Sequence, residues 1–112
     1  MEREFIELPG FRSKWKELGL TEDDLGSLQD HLLKNPTAGR MIQKTGGLRK
    51  VRWAGGDSNK GKSGGVRVVY LDLEGKSWNF LIYVYGKQEK DNLSEDEKKE
   101  LKELTKKLVK VR

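Results

Sequence analysis

The chain has 112 residues, of which 37% are charged and 34% hydrophobic, and it contains no cysteine. This length fits one domain, which we assign to residues 1–112, and the lack of cysteine excludes disulfides and thiolate metal sites. Two early glutamates and the lack of any run approaching ~20 apolar residues predict a cytoplasmic protein with neither signal peptide nor membrane span.

The formal net charge of +5 is unevenly distributed along the chain. Residues 1–36 carry five basic and eight acidic side chains, whereas residues 44–67 carry seven basic ones and a single acid, Asp57. A localised cationic segment beside an acidic half indicates an oriented site for a polyanion rather than a generally adhesive surface.

The first third of the chain predicts a strand and two helices. Residues 4–8 form a short strand that the following proline and glycine end. Apolar residues at helical spacing predict helices over residues 11–18 and from Thr21, an N-cap, to Asn35, which precedes a proline. The connection between the two helices is short and predicts an antiparallel helix hairpin.

The middle of the chain predicts three antiparallel strands over residues 48–53, 66–73 and 77–85. Period-two alternation in the first of these puts Lys50 and Arg52 on one face, and the apolar residues between and after them on the other. Residues 54–65 form the long glycine-rich connection between the first two strands.

The last element is a helix that opens with a capping box at Ser94 and carries a narrow apolar stripe from Leu101 to Val111. This helix either docks on the domain or serves as a partner-binding or mobile element. The fold class is therefore α+β, an antiparallel sheet of about four strands with the N-terminal helix hairpin on one face and a C-terminal helix.

Paired strands predict a cluster of cations. If residues 48–53 and 66–73 pair, the flanks of the loop lie side by side and converge on one pocket: Lys50, Arg52, Lys60, Lys62 and Arg67. Glycines of the loop leave backbone amides free for a phosphate, and arginine offers a planar fork matched to phosphate oxygens. Tyr85 and Lys87 close the third strand and bring a stacking ring and another cation to the same end.

Other chemistries fit the sequence less well. The single histidine, His31, lies within the second helix, which excludes a two-histidine ribonuclease and a histidine–cysteine zinc site. Carboxylates in helix first turns are explained by capping. The letters from Gly56 to Ser63 match a P-loop, but a strand follows them where a P-loop needs a helix. We therefore expect neither a metal nor a cofactor. A non-functional interpretation also stays open, in which the glycine-rich loop is only solvated and the lysines protect a sheet edge against aggregation.

Three segments in order, GGLRK at 46–50, KGKSGGVR at 60–67 and VYGK at 84–87, resemble the RelE/HigB toxin superfamily, in particular its HigB-like branch. The resemblance spans about residues 40–108. It implies a RelE-like fold and the toxin of a type II toxin–antitoxin system. It also implies a metal-independent endoribonuclease, or mRNA interferase, that cleaves mRNA in the ribosomal A site through the 2′-hydroxyl beside the scissile phosphate.

The resemblance also implies partners and site residues. The partners are a cognate antitoxin that binds DNA, the ribosome and mRNA, and the protein alone is expected to be a monomer. The resemblance assigns proton transfer and charge stabilisation to Lys50 and Arg52, and phosphate binding to Arg67. The expected RNA-binding residues are Arg49, Lys60, Lys62, Gly64 and Gly65.

The chain departs from the RelE pattern at two positions. Gln88 stands where RelE-like enzymes carry an arginine, and Ser94 stands near their C-terminal tyrosine. Lys87 and Tyr85 are the candidate substitutes. Three other functions stay open: a non-catalytic nucleic-acid-binding module, a ribonuclease that acts without the ribosome, and an interaction protein whose cations are incidental.

Overall fold

The computed structural model describes residues 2–54, 65–87, 89 and 92–110. These residues form five strands and three α-helices: β1 (Glu4–Glu7), α1 (Phe11–Glu17), α2 (Glu22–Lys34), β2 (Arg40–Met41), β3 (Arg49–Trp53), β4 (Val66–Leu73), β5 (Trp78–Gly86) and α3 (Glu95–Val109). The predicted α+β class is confirmed. Within the described ranges, none of these helices has the length and apolar character that spanning a membrane requires.

The strands form one mixed sheet in the order β1-β5-β4-β3-β2. The antiparallel pairs β3–β4 and β4–β5 are those the sequence predicts. The sheet differs from the expected one at both edges. β1 runs parallel to β5, because the intervening chain returns across the sheet before β5 forms, and β2 adds a fifth strand of only two residues beside β3.

Helices α1 and α2 cover one face of the sheet. Phe11, Trp15 and Leu28 are at most 2% exposed and belong to one cluster with Val51 and Val68 from the sheet. The start of α2 is fixed by a capping box in which the Thr21 hydroxyl accepts from the amide of Asp24 and the Asp24 carboxylate accepts from the amide of Thr21. This face is therefore closed by apolar side chains over its strands.

Helix α3 covers the opposite face, so the helices lie on both sides of the sheet. Along β4, Val68 belongs to the cluster under α1 and α2, whereas its neighbour Val69 belongs to a second cluster with Leu108 of α3. Because neighbouring side chains of a strand point to opposite faces, the two clusters lie on opposite sides of the sheet. The sequence left open whether the C-terminal helix docks on the domain or serves as a partner-binding or mobile element. In the structure α3 docks on the sheet.

Candidate active site

Strand register gathers the cations onto the face that α3 partly covers. Arg52 pairs with Arg67 across β3 and β4. Val51 and Trp53, which flank Arg52, pack in the cluster under α1 and α2, so the side chain of Arg52 lies on the other face. Lys50 shares that face with Arg52, as the alternation in β3 predicts. Arg67 does so too, because Val66 and Val68 on either side of it belong to the α1/α2 cluster.

These cations line a cavity of about 650 Å3. Its lining consists of Ala38, Arg40, Lys50, Val51, Arg52, Arg67, Lys87 and Asn92. Five of these side chains are basic, and among the described residues that line the cavity none is acidic. Such a cavity attracts an anion, and below we call it the cationic cavity.

Arg67 is the buried member of the cationic cavity. Its side chain lies in the middle of the sheet and is only 4% exposed. Its register partners are Arg52 on β3 and Tyr85 on β5. A guanidinium stays charged at any physiological pH and is more weakly hydrated than an ammonium group, so it is the cation best suited to this burial. Arg67 therefore forms a fixed positive floor for the cavity.

Lys50 is half-buried in the wall of the cationic cavity. Burial lowers the pKa of its ammonium group from the ordinary value of 10.5, and the neighbouring charges of Arg67 and Arg52 lower it further. Its Nζ donates a hydrogen bond to Oδ1 of Asn92 at 3.4 Å. Burial is the largest single cause of this lowered pKa.

Arg49 and Tyr85 are predicted site residues whose side chains lie outside the cationic cavity. Arg49 neighbours Lys50 in the chain and therefore points to the opposite face, where its Nη1 donates to the carbonyl of Gly39 at 2.8 Å. Tyr85 is fully buried, and the centroid of its ring lies 5.4 Å from that of Tyr83. In this conformation its ring has no free face on which a base can stack.

The glycine-rich connection is described only at its end. Lys60, Lys62 and Gly64 lie outside the described residues, as does Gln88. Gly65 has a φ of +71°, and a Cβ atom there would lie 2.6 Å from the carbonyl oxygen of Trp53. Gly65 thus lets the chain turn into β4 against the end of β3, and this packing accounts for the glycine without any phosphate.

The sequence analysis missed Arg40 and Asn92 as cavity residues. Arg40 lies on β2 and pairs with Lys50, but a strand of two residues has no periodicity that would predict it. Asn92 lies in the connection between β5 and α3, whose path depends on where α3 docks. The only available signal was the position of Arg40 just before the cationic segment.

Known proteins match both the sequence and the fold. A family model described as the RelE toxin of the RelE/RelB toxin–antitoxin system matches residues 39–112. The chain belongs to the RelE toxin family. That family implies a cognate antitoxin as a partner. The matched span contains all five cations of the cationic cavity.

A solved structure of the same family shows the same fold. The structure is that of Escherichia coli toxin RelE, a double arginine-to-alanine mutant in its free state. It superposes with a TM-score of 0.55 at 17% sequence identity, and the match covers 81% of this chain and 90% of that chain. At this identity the similarity concerns the fold alone. The predicted RelE-like architecture is confirmed.

Proposed function

We propose that this RelE-family protein is an endoribonuclease that cleaves mRNA in the ribosomal A site without a metal ion. The observation that carries the proposal is the cationic cavity, in which a buried arginine, a half-buried lysine and three further cations face one space. In the proposed complex the scissile phosphate lies at Arg67 and the ribose 2′-hydroxyl lies near Lys50.

The reaction is an internal transfer of the phosphoryl group. The 2′-oxygen gives up its proton and bonds to phosphorus, while the bond from phosphorus to the 5′-oxygen of the next nucleotide breaks and that oxygen takes up a proton. The products are a 2′,3′-cyclic phosphate and a 5′-hydroxyl. Negative charge grows on the phosphoryl oxygens in the transition state, where fixed cations stabilise it.

Each cation has a proposed role in this reaction. Arg67 and Arg52 hold the phosphoryl oxygens, because paired guanidiniums match them geometrically. Lys50 in its neutral form accepts the 2′-proton, and its lowered pKa increases the fraction of lysine available as a base. Lys87, on the exposed rim, protonates the leaving 5′-oxygen in the place of the missing arginine and tyrosine.

The ribosome supplies what the cavity lacks. The described lining of the cavity contains no aromatic side chain on which a base could stack. Alignment of the attacking and leaving oxygens accounts for much of the rate in such a reaction, and the A site provides it by holding the codon. The proposal therefore includes the ribosome and mRNA as partners and the cytoplasm as location. It also includes a monomeric free protein and an antitoxin that binds DNA.

The proposal is tested by incubating the purified protein with programmed ribosomes and, separately, with the same mRNA free in solution. We expect cleavage within the A-site codon of the ribosome-bound message, mapped by primer extension, and growth arrest when the protein is expressed without an antitoxin. Equal cleavage of free RNA would favour a ribosome-independent ribonuclease. Salt-sensitive RNA binding with no cleavage in either sample would favour a non-catalytic binding module.

A further inference from the structure

We propose that Arg40 binds the RNA phosphate next to the scissile one, and that a buried anchor formed by Gly39, Tyr70 and Arg49 holds it in place for this purpose. The inference deepens the proposed function and rests on it. It gives the two-residue strand β2 a function and assigns a binding role to a residue outside the three short motifs at 46–50, 60–67 and 84–87.

The position of Arg40 fits a second phosphate. It pairs with Lys50 on the outer strand of the sheet, whereas Arg67 lies on β4, two strands further in. From the usual spacing of strands and residues, the backbones of Arg40 and Arg67 are roughly 12 Å apart. Arg67 is buried and Arg40 is exposed. An RNA chain whose scissile phosphate lies at the floor can leave the cavity over the rim where Arg40 lies.

The charge of Arg40 reaches the reacting groups. It is one of the charges that lower the pKa of Lys50, after burial and the charges of Arg67, Arg52 and Lys98. Arg40 and Lys50 also pair across β2 and β3 and line the same cavity. A phosphate held by Arg40 therefore lies beside the groups proposed to act on its scissile neighbour.

A buried anchor fixes the backbone directly before Arg40. The amide of Gly39 donates to the hydroxyl of Tyr70 at 3.0 Å, and that hydroxyl donates to the carbonyl of Pro36 at 2.8 Å. The carbonyl of Gly39 accepts from Arg49 at 2.8 Å. Both polar backbone groups of Gly39 are thus held, and a Cβ atom at this position would lie 2.7 Å from the carbonyl oxygen of Lys50.

The anchor explains how a very short strand can carry a positioned cation. A two-residue edge strand has little stability of its own. Here the side before Arg40 is fixed by the anchor, and on the other side the amide of Ile42 donates to the carbonyl of Leu48 at 2.8 Å. A binding group held in place before the ligand arrives loses less entropy on binding. Arg49, which lies outside the cavity, acts in this account through Arg40.

The first test measures binding of single-stranded oligoribonucleotides that carry a 2′-deoxy nucleotide at the scissile position and so cannot be cleaved. We expect Arg40→Ala to weaken binding about tenfold to a hundredfold at low salt, as for loss of a charged hydrogen bond. The slope of log K against log salt should fall by about 0.7, the value for one phosphate contact on a single strand. Lys16→Ala, which removes an exposed charge on α1, is the matched control and should leave the slope unchanged.

The contact is localised with oligonucleotides in which one phosphate flanking the scissile one is a neutral methylphosphonate. Arg40→Ala should not weaken the binding of the oligonucleotide in which the phosphate that Arg40 contacts has been made neutral. An equal loss on all oligonucleotides, or no loss at all, overturns the assignment. Because binding is measured without cleavage, a protein that shows this pattern but never cuts RNA would contradict the proposed function and not this inference.

The second test is a double-mutant cycle that separates positioning from stability. Tyr70→Phe removes the anchoring hydroxyl and should weaken binding several-fold in the wild-type background but not in the Arg40→Ala background. Arg49→Gln should behave in the same way and replaces Tyr70→Phe if that variant does not fold. An equal loss in both backgrounds, at an unchanged melting temperature, would show that the anchor does not act through Arg40.

Discussion

Strand β3 presents two different surfaces on its two faces. On the side of α1 and α2, Val51 and Trp53 join an apolar cluster. On the side of α3, Lys50 and Arg52 line an open cavity beside the buried Arg67. The first face stabilises the sheet by burying apolar surface, whereas the second concentrates like charges. The apolar face therefore holds the strands on which the charged face is built.

The largest effect is expected from a cavity made in the apolar face. Leu28→Ala removes a fully buried side chain from the α1/α2 cluster and should lower the free energy of unfolding by about 2–5 kcal/mol. Urea denaturation measures the change. The exposed neighbour Ser27→Ala on the same helix is the control, with an expected change within about 0.5 kcal/mol. Similar losses for both variants would contradict the assigned core.

Removal of a cation from the charged face should reduce the cleavage activity far more than the stability of the fold. Arg67→Ala removes the floor of the cationic cavity and should reduce cleavage on programmed ribosomes about 10²–10³-fold, as for loss of one transition-state contact. Arg67→Lys keeps the charge but not the fork and should recover only part of the rate. Cleavage by Arg67→Ala at the wild-type rate would remove Arg67 from the mechanism.

Much of this two-faced arrangement follows from the sequence, and its exceptions have physical reasons. Alternation in β3 predicts which face each residue occupies. The same rule places Arg49 and Lys50 on opposite faces of the sheet, although both belong to the GGLRK segment and were assigned to one site. The parallel pairing of β1, the strand β2 and the position of Arg40 depend on tertiary packing, which leaves no local pattern. Tyr85 is buried because α3 docks over its strand, and the sequence left that docking open.

The burial of Lys50 among other cations should lower the stability of the fold. The pKa of Lys50 is lower in the folded protein than its ordinary value of 10.5. Between these two pKa values the unfolded chain binds more protons than the folded protein, so the stability of the wild type rises with pH there. Lys50→Met should therefore raise the melting temperature at pH 7 while it abolishes cleavage. The gain should disappear only above pH 10.5, where the lysine becomes neutral in the unfolded chain as well as in the folded protein.

Thermal melts of wild type and Lys50→Met at the two pH values measure this difference. Lys16→Met, on α1, is the control for loss of an exposed lysine that is not among the charges acting on Lys50. A Lys50→Met variant that is less stable than the wild type at pH 7 would mean that Lys50 stabilises the fold.

The smallest expected effect is a shift in the pH dependence of cleavage. Arg52→Gln removes one of the charges that lower the pKa of Lys50, so that pKa should rise toward its ordinary value. If Lys50 acts as the base, the rising limb of the pH–rate profile then moves to higher pH, whatever the loss in maximal rate. A midpoint that does not move would assign the limb to another group.

In the proposed mechanism the substrate supplies its own nucleophile inside a cavity of cations. Ribosomes programmed with two messages that differ only in a 2′-deoxy nucleotide at the cleavage position of the A-site codon test this mechanism. We expect cleavage of the all-ribose message, with a 2′,3′-cyclic phosphate on the upstream fragment, and none of the deoxy-substituted message. Equal cleavage of the two messages at that position would contradict the mechanism.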